Sequence, residues 1–188
     1  LRAALLLAHD ATTAHRFSLR YGAAFSAAYR EAYSPEVAVA DIATLEKLNE
    51  ARPLAVNFHP VPDAEEGSTA LKVWSFNRPI ELSRRVPVLE NMGFRVVDEH
   101  TYHVAAPGEP DFWLHDMMLE CATRPLGGLE VLKARLESTF ITIMQGGAEN
   151  DGYNALVLAA GLGWRDIALV RTISRYLRQI RIPFSQDY

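Results

Sequence analysis

The period of the apolar positions divides the chain into three regions. Over residues 1–52 the period is helical. Val39, Ile42, Leu45 and Leu48 recur every three residues and form one apolar stripe. Ser34-Pro35-Glu36 ahead of it is a helix start, with an oxygen-bearing N-cap, a proline where no N–H partner is needed, and an acid in the first turn. Residues 53–145 alternate between periods. Leu54, Val56 and Phe58 interleave with Ala55, Asn57 and His59, which predicts a strand over 54–60. Residues 62–68 read as a turn, and Leu71 to Phe76 as a second strand closing a hairpin. Leu82, Val86 and Leu89 then follow helical spacing, and Gly93 ends that helix at the C′ position. Pro87 requires the helix to begin near Ser83, because only first-turn N–H groups lack partners. Phe94 to Val104 is extended and rich in β-branched and aromatic residues. A turn over 105–110 leads into a strand from Phe112 to Glu120. Gly127-Gly128 opens a helix with Leu129, Leu132, Leu136, Phe140 and Ile143 on one face. Residues 146–188 are helical again. Asn150-Asp151-Gly152 caps a short helix that Gly161 ends. A longer helix follows from Trp164 to Ile180, with Val170, Ile173, Leu177 and Ile180 expected inward and Pro183 as its stop.

The middle region therefore runs strand, strand, helix, strand, strand, helix. Two helices on one face of a four-stranded antiparallel sheet is the economical packing of that order. The fold class expected is α+β: a ferredoxin-like sheet module over 53–145, resembling the small ACT-type modules, flanked by a helical segment over 1–52 and a helical connector over 146–188.

Composition changes this picture little. The chain has 188 residues, 49% apolar and 22% charged, which is ordinary for a globular domain. Its net charge of −4 argues against a nucleic-acid partner, since phosphate binding needs a clustered positive field. A single cysteine, Cys121, excludes an internal disulfide and fits a reducing, cytoplasmic location. Cys121 is expected as a small buried strand residue. The apolar run from Leu1 to Ala8 is too short to span a membrane, and His9 and Asp10 end it. It reads as the end of a helix begun upstream, so the chain is expected to be a segment of a longer protein.

Candidate chemistry is sparse. His100 and His103 lie three apart on a strand and so point to opposite faces, which disfavours a shared metal. Gly146-Gly147 and Gly161-Leu162-Gly163 follow helices, not strands, and Gly127-Gly128 lacks the full dinucleotide spacing, so no NAD site is expected within this chain. The acids Asp98-Glu99 and Glu149-Asn150-Asp151 show no acid–base arrangement, and helix capping explains Asn150 and Asp151 better. No nucleophile stands in a Gly-x-Ser-x-Gly context. No catalytic, cofactor-binding or metal-binding residue is therefore assigned. Arg171, Arg175 and Arg178 make a basic stripe on the last helix. Either it is a solvated face, or it contacts an acidic surface of the same chain or of another subunit.

Four ordered stretches resemble the large bacterial NAD-dependent glutamate dehydrogenases. They are Tyr29–Glu36 with Ala40-Asp41-Ile42 following, Val88–Glu99, Ala148–Leu162, and Arg175–Gln179. The resemblance covers nearly the whole chain and is weakest before Phe25. It implies a parent protein several times longer, whose catalytic glutamate and NAD sites lie beyond the C-terminal end of this segment. It implies for this segment the last ACT-like module and a helical connection toward the catalytic domain, with a regulatory or assembly role and partners in other domains and subunits of a homo-oligomer. By analogy with ACT-type modules, an amino-acid effector would bind where a strand meets the first helix, at Asn77-Arg78-Pro79, with Arg78 pairing the ligand carboxylate. The order departs from the standard strand, helix, strand, strand, helix, strand. Here one strand stands in front and none behind, the order of a permuted sheet. Three rival readings remain: a structural spacer between domains, a free-standing amino-acid-binding module, and a small enzyme with an unrecognised site. No membrane or nucleic-acid partner is expected.

Overall fold

The computed structural model describes residues 1–61, 67–122 and 128–181. The predicted turn over 62–68 and the pair Gly127-Gly128 thus lie partly, and Pro183 wholly, outside the described residues. Four helices come first: α1 (Arg2–Ala8), α2 (Ala11–Tyr21), α3 (Ala27–Ala32) and α4 (Pro35–Leu45). The starts of α2, α3 and α4 have local causes. Asp10 accepts the N–H groups of Thr12 and Thr13 ahead of α2, and Ser26 accepts that of Tyr29 in α3. At α4, Ser34 is the N-cap and Pro35 the first residue, as the sequence predicts. The Ser34 hydroxyl, however, bonds the Glu36 side chain rather than a helix N–H, and this holds the Glu36 carboxyl below its ordinary range.

The strands β1 (Leu54–His59), β2 (Ser68–Phe76), β3 (Phe94–Val104) and β4 (Phe112–Cys121) form one antiparallel sheet in the order β1-β2-β4-β3. The edge place beside β2 is where the strand following the second helix lies in the standard ferredoxin-like order. Here β1 fills it from in front, so the sheet is circularly permuted. β2 begins three residues earlier than the sequence predicts. Its residues Thr69 to Ser75 are all buried, so both of its faces are covered, as suits a central strand.

Helix α5 (Leu82–Asn91) joins β2 to β3, and α6 (Leu129–Met144) follows β4. α5 starts at Leu82, near Ser83 as expected, and Pro87, in its second turn, cannot donate to the Ser83 carbonyl. The expected inward face of the helix needs correcting. Its inward face holds Arg85, Val88, Leu89 and Met92, while Leu82 is exposed. Gly93 ends α5 at φ 91°, and an added Cβ there would stand 3.2 Å from Leu158 Cδ1. Gly93→Ala is therefore expected to cost about 1–2 kcal/mol, mostly from the left-handed backbone, read as a lowered urea midpoint. In α6 the predicted face is buried at Leu132, Leu136, Phe140 and Ile143, with Thr139 and Met144 joining it. A 3₁₀ turn over Gly152–Ala155, capped by the Asp151 side chain, leads into α7 (Leu156–Ala159), and α8 (Trp164–Gln179) closes the chain.

The chain divides into two compact units, and each strand contributes residues to both. The first comprises residues 1–57, 71–80 and 98–117, and the second 58–70, 81–97 and 118–188. In the first, α1–α4 pack on strand side chains including Trp74, Tyr102, Val104, Phe112 and Leu114. Its core carries a run of rings four residues apart, Phe17, Tyr21, Phe25, Tyr29 and Tyr33, each touching the next at centroid distances of 6.2, 6.3, 4.4 and 4.7 Å. In the second unit α5–α8 share a core with Phe58 and Phe94, whose rings stack at 5.6 Å.

Candidate functional site

The turn after β2 is built from residues of the first unit. Asn77 takes φ 64°, a left-handed position that asparagine tolerates. Its N–H donates to the Asp111 carbonyl at 2.7 Å, and Ser75 Oγ donates to the Arg78 carbonyl at 2.8 Å. Two residues on, the N–H of Ile80 donates to Nε2 of His115, a side chain with 0% exposure. That bond fixes the ring. Nε2 must carry the lone pair, so in the neutral imidazole Nδ1 bears the proton and donates to Thr101 Oγ1 at 2.8 Å. Thr101 in turn donates to Glu99 at 2.5 Å. A relay thus runs from the backbone after β2 across β4 to β3. The side chains of Asn77 and Arg78 are exposed at its outer end. Sequence reasoning picked Asn77 and Arg78 but missed His115, and its place in an alternating strand between Leu114 and Asp116 carried no warning.

A second polar cluster lies in the core of the first unit. Asp41 and Lys72 are 4% and 6% exposed, with Lys72 Nζ 3.1 Å from Asp41 Oδ2. Tyr29 donates its hydroxyl to the same carboxylate at 2.5 Å, and Tyr33 donates to Asp116. Lys72 Nζ also sits 4.0 Å over the Tyr33 ring. Burial pushes the Asp41 carboxyl above its ordinary range, against the opposing pull of Lys72 and Tyr29. Burial and the neighbouring carboxylates push the Tyr29 and Tyr33 hydroxyls well above theirs. A charged pair with its lone pairs and protons engaged in this way locks helix α4 to strand β2. Sequence reasoning missed it too, although a signal was present. Asp41 shares the buried stripe of Ala38, Ile42 and Leu45, and Lys72 interrupts an apolar strand.

The third cluster holds α8 in the second unit. Arg171 Nε and Nη2 donate to the two oxygens of Asp151 at 2.7 and 2.8 Å, and Nη2 also reaches Asn154 Oδ1 at 2.9 Å. Arg175 pairs with Glu149 through both of its terminal nitrogens. Arg178 is exposed. The helix therefore docks through Ile167 and Arg171, and the expectation that Ile173, Leu177 and Ile180 point inward is overturned, with all three exposed. The forked guanidinium pair sets the rotation of the helix. Arg175 pulls the Glu149 carboxyl below its ordinary value of 4.5. A depressed acid stabilises the fold above its ordinary value, and this contribution is lost as pH falls through the lower folded value. Acid titration followed by the carboxyl NMR signal of Glu149 should show a midpoint below 4.5 in the wild type. In Arg175→Ala it should return toward the ordinary value.

The remaining candidates resolve into local structure. His100 and His103 face Asp98 and Asp111, at 3.6 and 3.4 Å, and His103 stacks on Trp113. Among the described residues no group of three metal-ligating side chains converges. Burial raises the Cys121 thiol to about 11, which makes it a poor nucleophile. The cysteine is half-buried rather than buried. Gly163 is the N-cap of α8 and donates its N–H to Asp166 at 3.3 Å. Among the described residues no helix is long and apolar enough to cross a membrane.

A permuted four-stranded antiparallel sheet with two connecting helices, set among further helices, is an ACT-like α+β architecture. Three family models match in order along the chain: glutamate dehydrogenase helical motif 2 over residues 4–48, the glutamate dehydrogenase ACT3 domain over 53–132, and glutamate dehydrogenase helical motif 3 over 148–188. The chain belongs to the glutamate dehydrogenase family that these models describe. It is 38% identical over 169 residues to an NAD-specific glutamate dehydrogenase of Halomonas elongata, a match covering 90% of this chain and 10% of that protein. It is 38% identical to one of Pseudomonas aeruginosa, over 87% of this chain and 10% of that protein. It is 32% identical to one of Mycobacterium tuberculosis, over 91% and 11%. The chain thus spans about a tenth of the length of the relatives it matches.

Proposed function

We propose that this chain is a regulatory or assembly segment of an NAD-dependent glutamate dehydrogenase. The parent reaction is oxidative deamination of L-glutamate to 2-oxoglutarate and ammonia with reduction of NAD. The segment contributes no catalytic or NAD-binding residue, works in the cytoplasm of the cell, and serves the other domains and subunits of a homo-oligomer. One observation carries this reading: the matched models are an ACT domain and two helical motifs, in order, with no catalytic domain among them. Within it, the exposed Asn77 and Arg78 side chains form the outer end of the effector site, with Arg78 taking the carboxylate of an amino acid.

Calorimetry of the chain against a panel of amino acids tests the site. The expected result is binding by at least one of them that Arg78→Ala weakens about tenfold or more, the loss of one charged hydrogen bond. Silence across the panel would remove the effector role and leave the spacer reading. One feature favours the spacer. The Asn77 N–H, the Arg78 carbonyl and the Ile80 N–H are already engaged by Asp111, Ser75 and His115, which leaves the ligand few backbone groups to meet.

A further inference from the structure

His115 has 0% exposure, yet its ring holds a backbone N–H by a lone pair. The Ile80 N–H donates to Nε2 at 3.0 Å, and Ile80 itself is 9% exposed. That bond exists only with the neutral ring. A proton on Nε2 turns the acceptor into a donor and sets two N–H groups against each other. The pair loses a buried hydrogen bond and gains a repulsion, so the contact opens. We propose that His115 is a proton-operated latch on the turn after β2, closed on the Ile80 N–H when neutral and released when protonated. The latch is independent of whether Asn77 and Arg78 hold an effector.

Two features make the residue a latch rather than a plain buried acceptor. The protonated state has a counter-ion in place. Glu99 Oε1 lies 3.7 Å from Nδ1, on a side chain 18% exposed, and Thr101 bridges the two. A carboxylate at that distance favours the imidazolium and offsets part of the cost of charging a buried ring. The release is also local. The front of the turn is held by bonds that do not involve the ring, from the Asn77 N–H to the Asp111 carbonyl and from Ser75 Oγ to the Arg78 carbonyl. The rear, at Ile80, is held by the histidine. Other charged groups of the first unit near the ring have their own partners. Asp111 faces His103 at 3.4 Å. On the opposite face of the sheet Asp116 accepts from Tyr33, and Lys72 pairs with Asp41. Arg78 is exposed. The closed turn binds one proton fewer than the open one, so it is favoured at high pH and lost as pH falls.

Amide NMR of the chain between about pH 8 and about pH 5, a range that spans the ordinary imidazole value, tests the latch. The expected result is a shift of the Ile80 amide resonance with the same midpoint as the His115 ring signal. The hydrogen-exchange protection of that amide should fall about tenfold or more across the step, with far-UV circular dichroism unchanged. Glu99→Gln, at a partly exposed position, should move the midpoint down by about one pH unit. His115→Gln places near Nε2 a side-chain oxygen that cannot be protonated, and should flatten the Ile80 response. An Ile80 amide that stays fixed while the ring titrates would overturn the proposal. So would a ring that stays neutral across the range, a midpoint that Glu99→Gln leaves in place, or a step that persists in folded His115→Gln. The wild-type titration and Glu99→Gln decide the question even without a folded His115→Gln.

Discussion

Asp41→Ala is expected to lower the unfolding free energy by about 3–5 kcal/mol, the cost of leaving a buried charge without its partner. The substitution strips the Lys72 ammonium of the carboxylate 3.1 Å away and leaves the Tyr29 hydroxyl without its acceptor, both inside the core of the first unit. The triple replacement Asp41→Leu, Lys72→Met and Tyr29→Phe removes every member of that set and keeps the volume. It should recover most of the loss, because well-packed apolar groups often replace a buried ion pair at little cost. Urea unfolding of the single and triple variants measures both. A loss under about 1 kcal/mol for Asp41→Ala would mean that water reaches the pair. A triple variant as unstable as the single would mean that the polar contacts specify the fold and apolar packing cannot replace them.

Arg171→Ala is expected to cost about 2–3 kcal/mol, from the loss of charge-assisted bonds to Asp151 and Asn154. Asp151 remains partly exposed, which keeps the figure below that for Asp41. The effect should be local. Hydrogen exchange of the α8 amides should quicken by one to two orders of magnitude, while the β2 and β4 amides keep their protection. Arg171→Lys should restore little, because a point charge cannot span both carboxylate oxygens. Unchanged α8 protection in Arg171→Ala would show that Ile167 alone anchors the helix.

How far the candidate sites were legible depends on where their partners lie. The turn at Asn77 and Arg78 was readable because a strand end, a helix start and a breaking proline are adjacent in sequence. His115 was not. Its role rests on an N–H from residue 80 and a hydroxyl from residue 101, both distant along the chain. The Asp41–Lys72 pair left a partial trace, since each residue interrupts an apolar pattern, but the pattern cannot say that the two interruptions meet. Burial of Arg171 ran against its type, and only the acids of the 149–154 turn explain it.

Local signals did determine the elements. Alternation placed β1, a run rich in β-branched and aromatic residues placed β3, Ser34-Pro35 placed the start of α4, and Gly93, with its left-handed backbone, placed the end of α5. These features depend on neighbours within a few residues, which is the range over which backbone propensity and side-chain period act. The sequence also pointed to an α+β sheet module set among helices. Tertiary structure alone decided the phase of α5 and α8. α8 carries an apolar stripe and an arginine stripe, and hydrophobicity favours burying the first. The forked bond to Asp151 buries Arg171 instead. In α5 Arg85 likewise turns inward and Leu82 out. It was likewise the sheet that fixed the place of β1, because strand order is set by which edges pair, and a strand's own residues do not record its neighbour.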